Sequence, residues 1–234
     1  NFKFNPIKKY KKILIVGSNG LIGINLVFAL INLKNRYKNF NPSITLFSKS
    51  KPKISLIRYY KKNNINFKKE NIINSIKTNK SFDLIFFAAG YSSPNRFTNS
   101  PEVTLLIHSL GLVNIASKLI NKGTLVYLSS SEVYNGLNHS FTENFSGNTN
   151  YNNKRAPYIN GKKFGETYCQ TLKEKGFNVK ILRISLTYGP GTKINDSRVI
   201  NEMIIKGIKD KNIRLIDKGK DIRKYLYISD CIEI

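Results

Sequence analysis

Carboxylates and cysteines are scarce in this chain. Asp and Glu together number 14 against 39 Lys and Arg, for a formal net charge of +25 over 234 residues. An excess of this size raises the question of a nucleic-acid or anionic-membrane surface. The lysines, however, are scattered through every segment, with only short clusters at Lys8–Lys12, Lys61–Lys62 and Lys68–Lys69. No Arg-rich stripe interleaved with aromatics occurs. Scattered charge attracts polyanions without giving groove or register, so it reads as compositional bias and no specific nucleic-acid partner is expected. The two cysteines, Cys169 and Cys231, have neither metal-ligand nor redox-pair spacing. No metal site is expected, and a reducing, cytoplasmic setting fits. A long uninterrupted apolar run is also missing. Ile13–Ile31 comes nearest, but Gly17-Ser18-Asn19-Gly20 and Asn25 break it, so it reads as a strand, a glycine turn and a buried helix instead of a membrane span. No signal peptide or internal repeat is visible.

What is present is an alternation of short β-branched runs with helical patterns. Strands are expected at Ile13–Val16, Ile44–Phe47, Leu84–Ala88, Thr124–Leu128 and Val179–Ile184, and helices at Leu21–Leu33, Glu102–Ile120, Tyr158–Lys175 and Ser197–Ile208. The strands are almost wholly apolar, as in a parallel sheet covered on both faces. The expected fold is α/β: a Rossmann-like, doubly wound parallel sheet over residues 1–184, followed at 185–234 by a small, incomplete C-terminal substrate lobe. Asn135–Ala156, rich in Asn, Ser and Gly, reads as a long loop over the carboxyl edge of the sheet.

Three glycines stand between the first strand and first helix, in Gly17-Ser-Asn19-Gly20-Leu21-Ile22-Gly23. Gly17 suits a tight turn, Gly20 the close approach of a pyrophosphate, and Gly23 the packing of helix on strand. The helix start offers free N–H groups to phosphates. These features predict a dinucleotide site despite the G-x-x-G-x-x-G spacing. Strand two should end in a carboxylate if a ribose 2′-hydroxyl is recognised. Here Phe47 is followed by Ser48-Lys49-Ser50-Lys51, which would suit a 2′-phosphate. The cofactor is expected to be NAD or NADP, with a lean to NADP.

Tyr158 and Lys162 are four residues apart after Pro157, and so share a helix face. A phenol with a pKa near ~10 is a poor base at neutral pH unless a neighbouring cation favours the phenolate. Ser129-Ser130-Ser131-Glu132 follows a central strand, where a hydroxyl can meet both phenol and substrate. Taken alone, the Tyr–Lys pair is equally a surface aromatic beside one of many lysines, and the serines a polar turn.

With these pieces together the chain resembles the extended short-chain dehydrogenase/reductases of the NAD-dependent epimerase/dehydratase family. The resemblance runs through GSNGLIG at Gly17–Gly23, FFAAGYSSP at Phe86–Pro94, LSSSEVY at Leu128–Tyr134, Y-x-x-x-K at Tyr158–Lys162, LRISLTYGPG at Leu182–Gly191 and IRKYLYISD at Ile222–Asp230. Within the family, RAPYINGKKFGETYC at Arg155–Cys169 and the run Asn195-Asp196-Ser197-Arg198-Val199 are similar to motifs of UDP-glucuronate decarboxylases. Three positions depart from the family pattern: His108 where Asn is common, Leu186 in place of an Asn, and Asn135 in place of a Gly.

The resemblance implies an enzyme that acts on a nucleoside diphosphate sugar through a 4-keto intermediate. It implies Tyr158 as base, Lys162 as the cation that lowers the tyrosine's pKa and holds the nicotinamide ribose, Ser130 as the hydroxyl's orienter and Glu132 as a helper in the second step. It also implies that the cofactor is held by Gly17, Asn19, Gly20, Leu21, Ile22, Gly23, Ser48, Lys49, Ala88, Ala89 and Gly90 together with Tyr158 and Lys162. Ser92, Ser131, Arg198 and Arg223 are the implied substrate contacts, and a homodimer is compatible. Decarboxylation leads, with dTDP-glucose 4,6-dehydratase or 4-epimerase chemistry as alternatives. Ser131, where such dehydratases carry Asp, counts against the former. A scaffold that keeps the fold and has lost the reaction is a further alternative.

Overall fold

The computed structural model describes residues 7–135, 142–194, 196–214 and 222–234. Strands β1 (Lys12–Val16), β2 (Ser43–Ser48), β3 (Ile65–Lys69), β4 (Phe82–Phe87), β5 (Leu119–Ser130) and β6 (Asn178–Ile184) form one sheet. Their order is β3-β2-β1-β4-β5-β6 and every pairing is parallel. The chain therefore builds outward from β1 in one direction, returns to β4 and builds outward in the other. The reversal lies between β1 and β4, whose carboxyl ends carry Gly17 and Ala88–Gly90. A crevice at this reversal is where such sheets bind ligands.

Successive residues of β1 show why the sheet is doubly wound. Ile13 and Ile15 pack with Val27, Leu30 and Ile31 of α1 (Leu21–Arg36) and Tyr60 of α2 (Ile54–Lys62). Leu14 and Val16 face the other way, into a cluster with Ile107, Leu112, Ile115, Cys169 and Leu172. Two-residue periodicity thus delivers alternate apolar side chains to two helical layers. Asp83 takes the β1 entry: its carboxylate accepts from the N–H groups of Lys11 and Lys12 at 2.8 and 2.9 Å.

All five expected strands are present, each longer than the sequence suggested, although β4 ends at Phe87 and leaves Ala88 outside it. β3 is an addition. Only Ile65 of its INFKK is buried, because it is an edge strand, so it carries no apolar run to read. The helix expected over Glu102–Ile120 is instead α4 (Pro101–Leu106), one π-helical turn (Ile107–Gly111) and α5 (Leu112–Ala116). Leu119 already stands opposite Phe82 in the sheet, its apolar side chain having imitated helical periodicity. The helix after the loop is α6 (Ala156–Glu174). Beyond β6, β7 (Leu186–Tyr188) and β8 (Tyr225–Tyr227) make a two-stranded parallel sheet. They are accompanied by α7 (Val199–Lys209) and α8 (Ile228–Glu233), and α3 (Pro94–Asn99) precedes α4.

The loop expected at Asn135–Ala156 contains no helix or strand among its described residues before Ala156. Arg183 anchors it from β6, donating to the carbonyls of Glu143 and Phe145 at 2.9 Å each, and Lys163 donates to the Gly147 carbonyl. Residues 136–141 of that loop, and Asn195 of the quoted motif, lie outside the described residues. Among the described residues no helix is long and apolar enough to cross a membrane, and no cluster of His, Cys, Asp or Glu is arranged to hold a metal ion.

Candidate functional site

The glycine turn has the geometry that its three positions require. Gly17 sits at φ +84°, and a Cβ there would lie 2.6 Å from the Ala88 carbonyl oxygen. A side chain at Gly23 would strike the Gly17 carbonyl and come within 2.8 Å of Ser18 Cα. Gly20 is exposed and caps α1 without any side-chain hydrogen bond, and no acidic residue occupies the first helical turn. The first-turn N–H groups of Leu21, Ile22 and Gly23 are therefore uncovered, a ready seat for a phosphate. Asn19 ties the turn to the loop after β2 through Nδ2 and the Ser50 carbonyl at 2.6 Å, while its buried Oδ1 has no partner among the described residues.

Ser48 ends β2 opposite Lys69, and Lys49 is exposed beside it. The missed strand β3 changes the chemistry of this corner. The Glu70 N–H donates to the Ser48 carbonyl at 2.9 Å, so an acidic residue follows directly after Lys69 at the end of β2. Glu70 is distant from Ser48 in sequence and reaches this corner only because it follows β3.

Across the crevice, α6 carries Tyr158 and Lys162 to the carboxyl end of β5, which carries Ser130. All three are buried, Lys162 at 6% exposure. Phe97 of α3 stacks on Tyr158 with ring centroids 4.7 Å apart and an interplanar angle of 12°. Burial raises the Tyr158 pKa above the ordinary phenol value, while a hydrogen bond with Ser130 lowers it. Among nearby charges Glu132 raises it, and Arg155 and Arg198 lower it. Lys162 Nζ instead donates to the Leu128 carbonyl at 2.6 Å and lies 5.8 Å from the Tyr158 ring centroid. Burial brings its pKa down to about 7, partly countered by Glu166. The sequence reading made Lys162 the cation that depresses the phenol's pKa. The cations that lower the Tyr158 pKa in the structure are Arg155 and Arg198.

Glu132 is not a free carboxylate. Arg155 grips it in a bidentate ion pair, with Nε to Oε2 at 2.9 Å and a terminal nitrogen to Oε1 at 2.5 Å. Arg155 precedes Tyr158 by three residues. Arg155 opens the motif Arg155–Cys169, and a motif does not say which partner an arginine meets.

His108 occupies the π-helical turn, an insertion often found at functional sites. It is fully buried between Phe87, Tyr127 and Tyr158. Nδ1 faces the Tyr127 hydroxyl at 3.3 Å, and Nε2 has no partner among the described residues. Burial, then repulsion from Lys162, holds its pKa well below the usual 6.5, so the ring is neutral. A Cβ on Gly90 would stand 3.0 Å from its Nε2. His108, Gly90 and Lys162 thus converge at the end of β4, beside Ala88 and Ala89.

The remaining positions are spread along the same edge. Ser92 and Ser131 are exposed, at the exit of β4 and of β5. Arg198 pairs with Asp196 at 2.7 Å and donates to the Thr187 carbonyl at 2.9 Å. Burial would raise the Asp196 pKa, but the hydrogen bonds and charge of Arg198 lower it overall. Arg198 also lines a cavity of about 170 Å³ with Tyr188, Gly189, Thr192, Ile200, Asn201 and Ile204. Arg223 is exposed just before β8.

The chain is 31% identical over 153 residues to UDP-glucuronic acid decarboxylase 1 of Xenopus tropicalis, covering 64% of this chain and 36% of that protein. It is 29% identical over 228 residues to UDP-glucuronic acid decarboxylase 6 of Arabidopsis thaliana, covering 95% of this chain and 64% of that protein. It therefore spans between a third and two thirds of the length of these relatives. Its fold is shared with UDP-glucuronic acid 4-epimerase from Bacillus cereus, solved with UDP-glucuronic acid and NAD. The TM-score is 0.75 at 21% identity, over 94% of this chain and 70% of that one. A dTDP-glucose 4,6-dehydratase from Streptomyces venezuelae, solved with NAD, superposes with a TM-score of 0.76 at 18% identity over 94% and 69%. With the family model matched across residues 13–234, the chain belongs to the NAD dependent epimerase/dehydratase family.

Proposed function

We propose that the protein is a UDP-glucuronate decarboxylase-like enzyme that works through a 4-keto sugar. The observation that carries this is the convergence of buried Tyr158, Lys162 and Ser130 on the crevice that the glycine turn lines from the other side. The names of its relatives supply the substrate class.

The residues present fit a dinucleotide. Close backbone contacts with Ala88 and within the turn exclude side chains at Gly17 and Gly23, and uncapped N–H groups at the start of α1 offer a seat for a pyrophosphate. When bound, the nicotinamide supplies the hydride acceptor. Tyr158 takes the proton of the sugar 4-hydroxyl, and Ser130 orients that hydroxyl through its hydrogen bond with the phenol. Once position 4 is a ketone, the C5 carboxylate is β to a carbonyl. Breaking its carbon–carbon bond releases carbon dioxide and sends the electron pair into an enolate, whose oxygen Tyr158 and Ser130 can hydrogen-bond; a proton taken up at C5, then return of the hydride to C4 and of the Tyr158 proton to its oxygen, completes the UDP-pentose. In this reading Lys162 would grip the nicotinamide ribose, Arg223 the diphosphate, and Arg198 would contact the substrate. In this reading Ser92 and Ser131 line the sugar, and Ala88, Ala89 and Gly90 back the cofactor.

The finer reading on the cofactor is NADP, supported by half-buried Ser48 and exposed Lys49 and opposed by nearby Glu70. A homodimer would draw on the exposed Leu105, Leu106, Leu110 and Val113, with Phe164 on α6. Sedimentation of the full-length protein tests it. The two buried, unpaired thiols support a cytoplasmic setting. For the function itself, Tyr158→Phe keeps the ring and removes the base, so turnover of UDP-glucuronate falls by about 10²–10⁴-fold with binding little changed. Near-normal turnover contradicts the assignment.

A further inference from the structure

Arg155 makes two contacts that no catalytic role yet explains. Its guanidinium holds both oxygens of Glu132, and its carbon centre lies 5.2 Å from the centroid of the Phe97 ring. Phe97 is buried and stacked flat on Tyr158. Guanidinium and phenol ring therefore both pack on the Phe97 ring, and the guanidinium also clamps the carboxylate of Glu132. We propose that Arg155 is a positioning residue for the proton transfer: it fixes the Tyr158 ring through Phe97 and neutralises Glu132, whose charge would otherwise oppose formation of the phenolate. The proposal rests on Tyr158 being the base.

The electrostatic surroundings agree with this geometry. The groups facing the phenol are Ser130 at the end of β5, Glu132 in the turn after it, Arg155 before α6, Lys162 on α6, Arg198 before α7 and neutral His108 in the π-helical turn. Glu132 is the anion among them that raises the Tyr158 pKa, and Arg155 lowers it. Losing Arg155 removes a favourable cation and also unmasks the anion, so both changes push the same way. The pair is partly exposed, with side chains 38% and 26% accessible, so its contribution to folding stability is small and the effect should concentrate on the phenol.

The test measures the phenol without using substrate. Full-length protein with bound cofactor is titrated by ultraviolet difference absorbance against the matching Tyr158→Phe protein, which isolates the one tyrosine. Arg155→Gln should move the Tyr158 midpoint to higher pH, Glu132→Gln to lower pH, and the double variant back toward wild type. Arg155→Lys, which keeps the charge without the bidentate grip, should restore part of the shift. With UDP-glucuronate, Arg155→Gln should slow turnover at pH 7 roughly tenfold, the size of effect one nearby charge has on an ionisation. That loss should recover at high pH with KM little changed, which simple misfolding would not reproduce. An unmoved midpoint in Arg155→Gln, or a double variant no different from Arg155→Gln, overturns the proposal. Should Arg155→Gln fail to fold, Glu132→Gln and Arg155→Lys still decide it: no downward shift in Glu132→Gln refutes it. A midpoint that moves as expected in a protein that turns over no nucleotide sugar refutes the functional reading and leaves the positioning role standing. Normal turnover with an unmoved midpoint does the reverse.

Discussion

Replacing Lys162 with Met removes a buried charge while keeping an unbranched chain of similar length. The ammonium lies in a pocket where burial lowers its pKa from the ordinary 10.5 to about 7. In the unfolded chain it stays protonated until about pH 10. Between those two values the unfolded state binds more protons than the folded state, so wild-type stability rises with pH across pH 7–10. Below pH 7 the folded state carries the full cost of the buried charge, on the order of 4 kcal/mol. The substitution gives up the hydrogen bond to the Leu128 carbonyl, a net loss of about 1 kcal/mol. Lys162→Met should therefore be more stable than wild type by about 3 kcal/mol at pH 6. The difference should shrink as pH rises and reverse, to about 1 kcal/mol in favour of wild type, near pH 10. Urea unfolding of both proteins without cofactor, at intervals from pH 6 to 10, reads the crossover directly. Parallel curves, or a variant less stable than wild type at pH 6, would refute the argument. The same variant should bind dinucleotide more weakly, because the lysine's place in the site is lost.

Other outcomes follow from the turn and the β2 corner. Gly23→Ala puts a methyl against the Gly17 carbonyl and Ser18 Cα, both backbone, so the turn must open. It should cost about 1–3 kcal/mol of stability, as other overpacked sites do, and abolish dinucleotide binding in a calorimetric titration. Ordinary affinity in a folded Gly23→Ala protein would show that the turn does not hold the cofactor. NADP should bind at least as tightly as NAD, and Lys49→Glu should weaken NADP selectively. A strong wild-type preference for NAD would instead indicate that Glu70, not Lys49, sets the choice.

The core of the fold was legible because it is repetitive. Ile13–Val16, Ile44–Phe47 and Leu84–Phe87 are apolar on both faces, and only a covered parallel sheet buries both. The glycine turn was legible because the steric demand on Gly17 and Gly23 is local. Edge strand β3 was not, since one face of an edge needs no apolar residues, and with it Glu70 was missed. The π-helical turn at His108 was hidden too, because Ile107, Leu112 and Ile115 keep a helical pattern through it. In the site, the sequence pointed to Tyr158, Lys162 and Ser130 but could not assign their electrostatics. Which cation lowers the phenol's pKa depends on burial and on partners distant in sequence, such as Glu132 for Arg155 and Leu128 for Lys162.

The most direct test of the 4-keto mechanism is product analysis with a label at the reacting carbon. Full-length protein with bound cofactor is incubated with UDP-glucuronate carrying deuterium at C4, and the sugar nucleotide is weighed by mass spectrometry. Decarboxylation through a 4-ketone predicts a UDP-pentose lighter by one carbon dioxide that keeps its deuterium, together with a slower rate than unlabelled substrate whenever C4 oxidation limits turnover. An unchanged UDP-glucuronate after prolonged incubation would contradict it, and a product of unchanged mass would contradict decarboxylation in favour of 4-epimerisation through the same ketone.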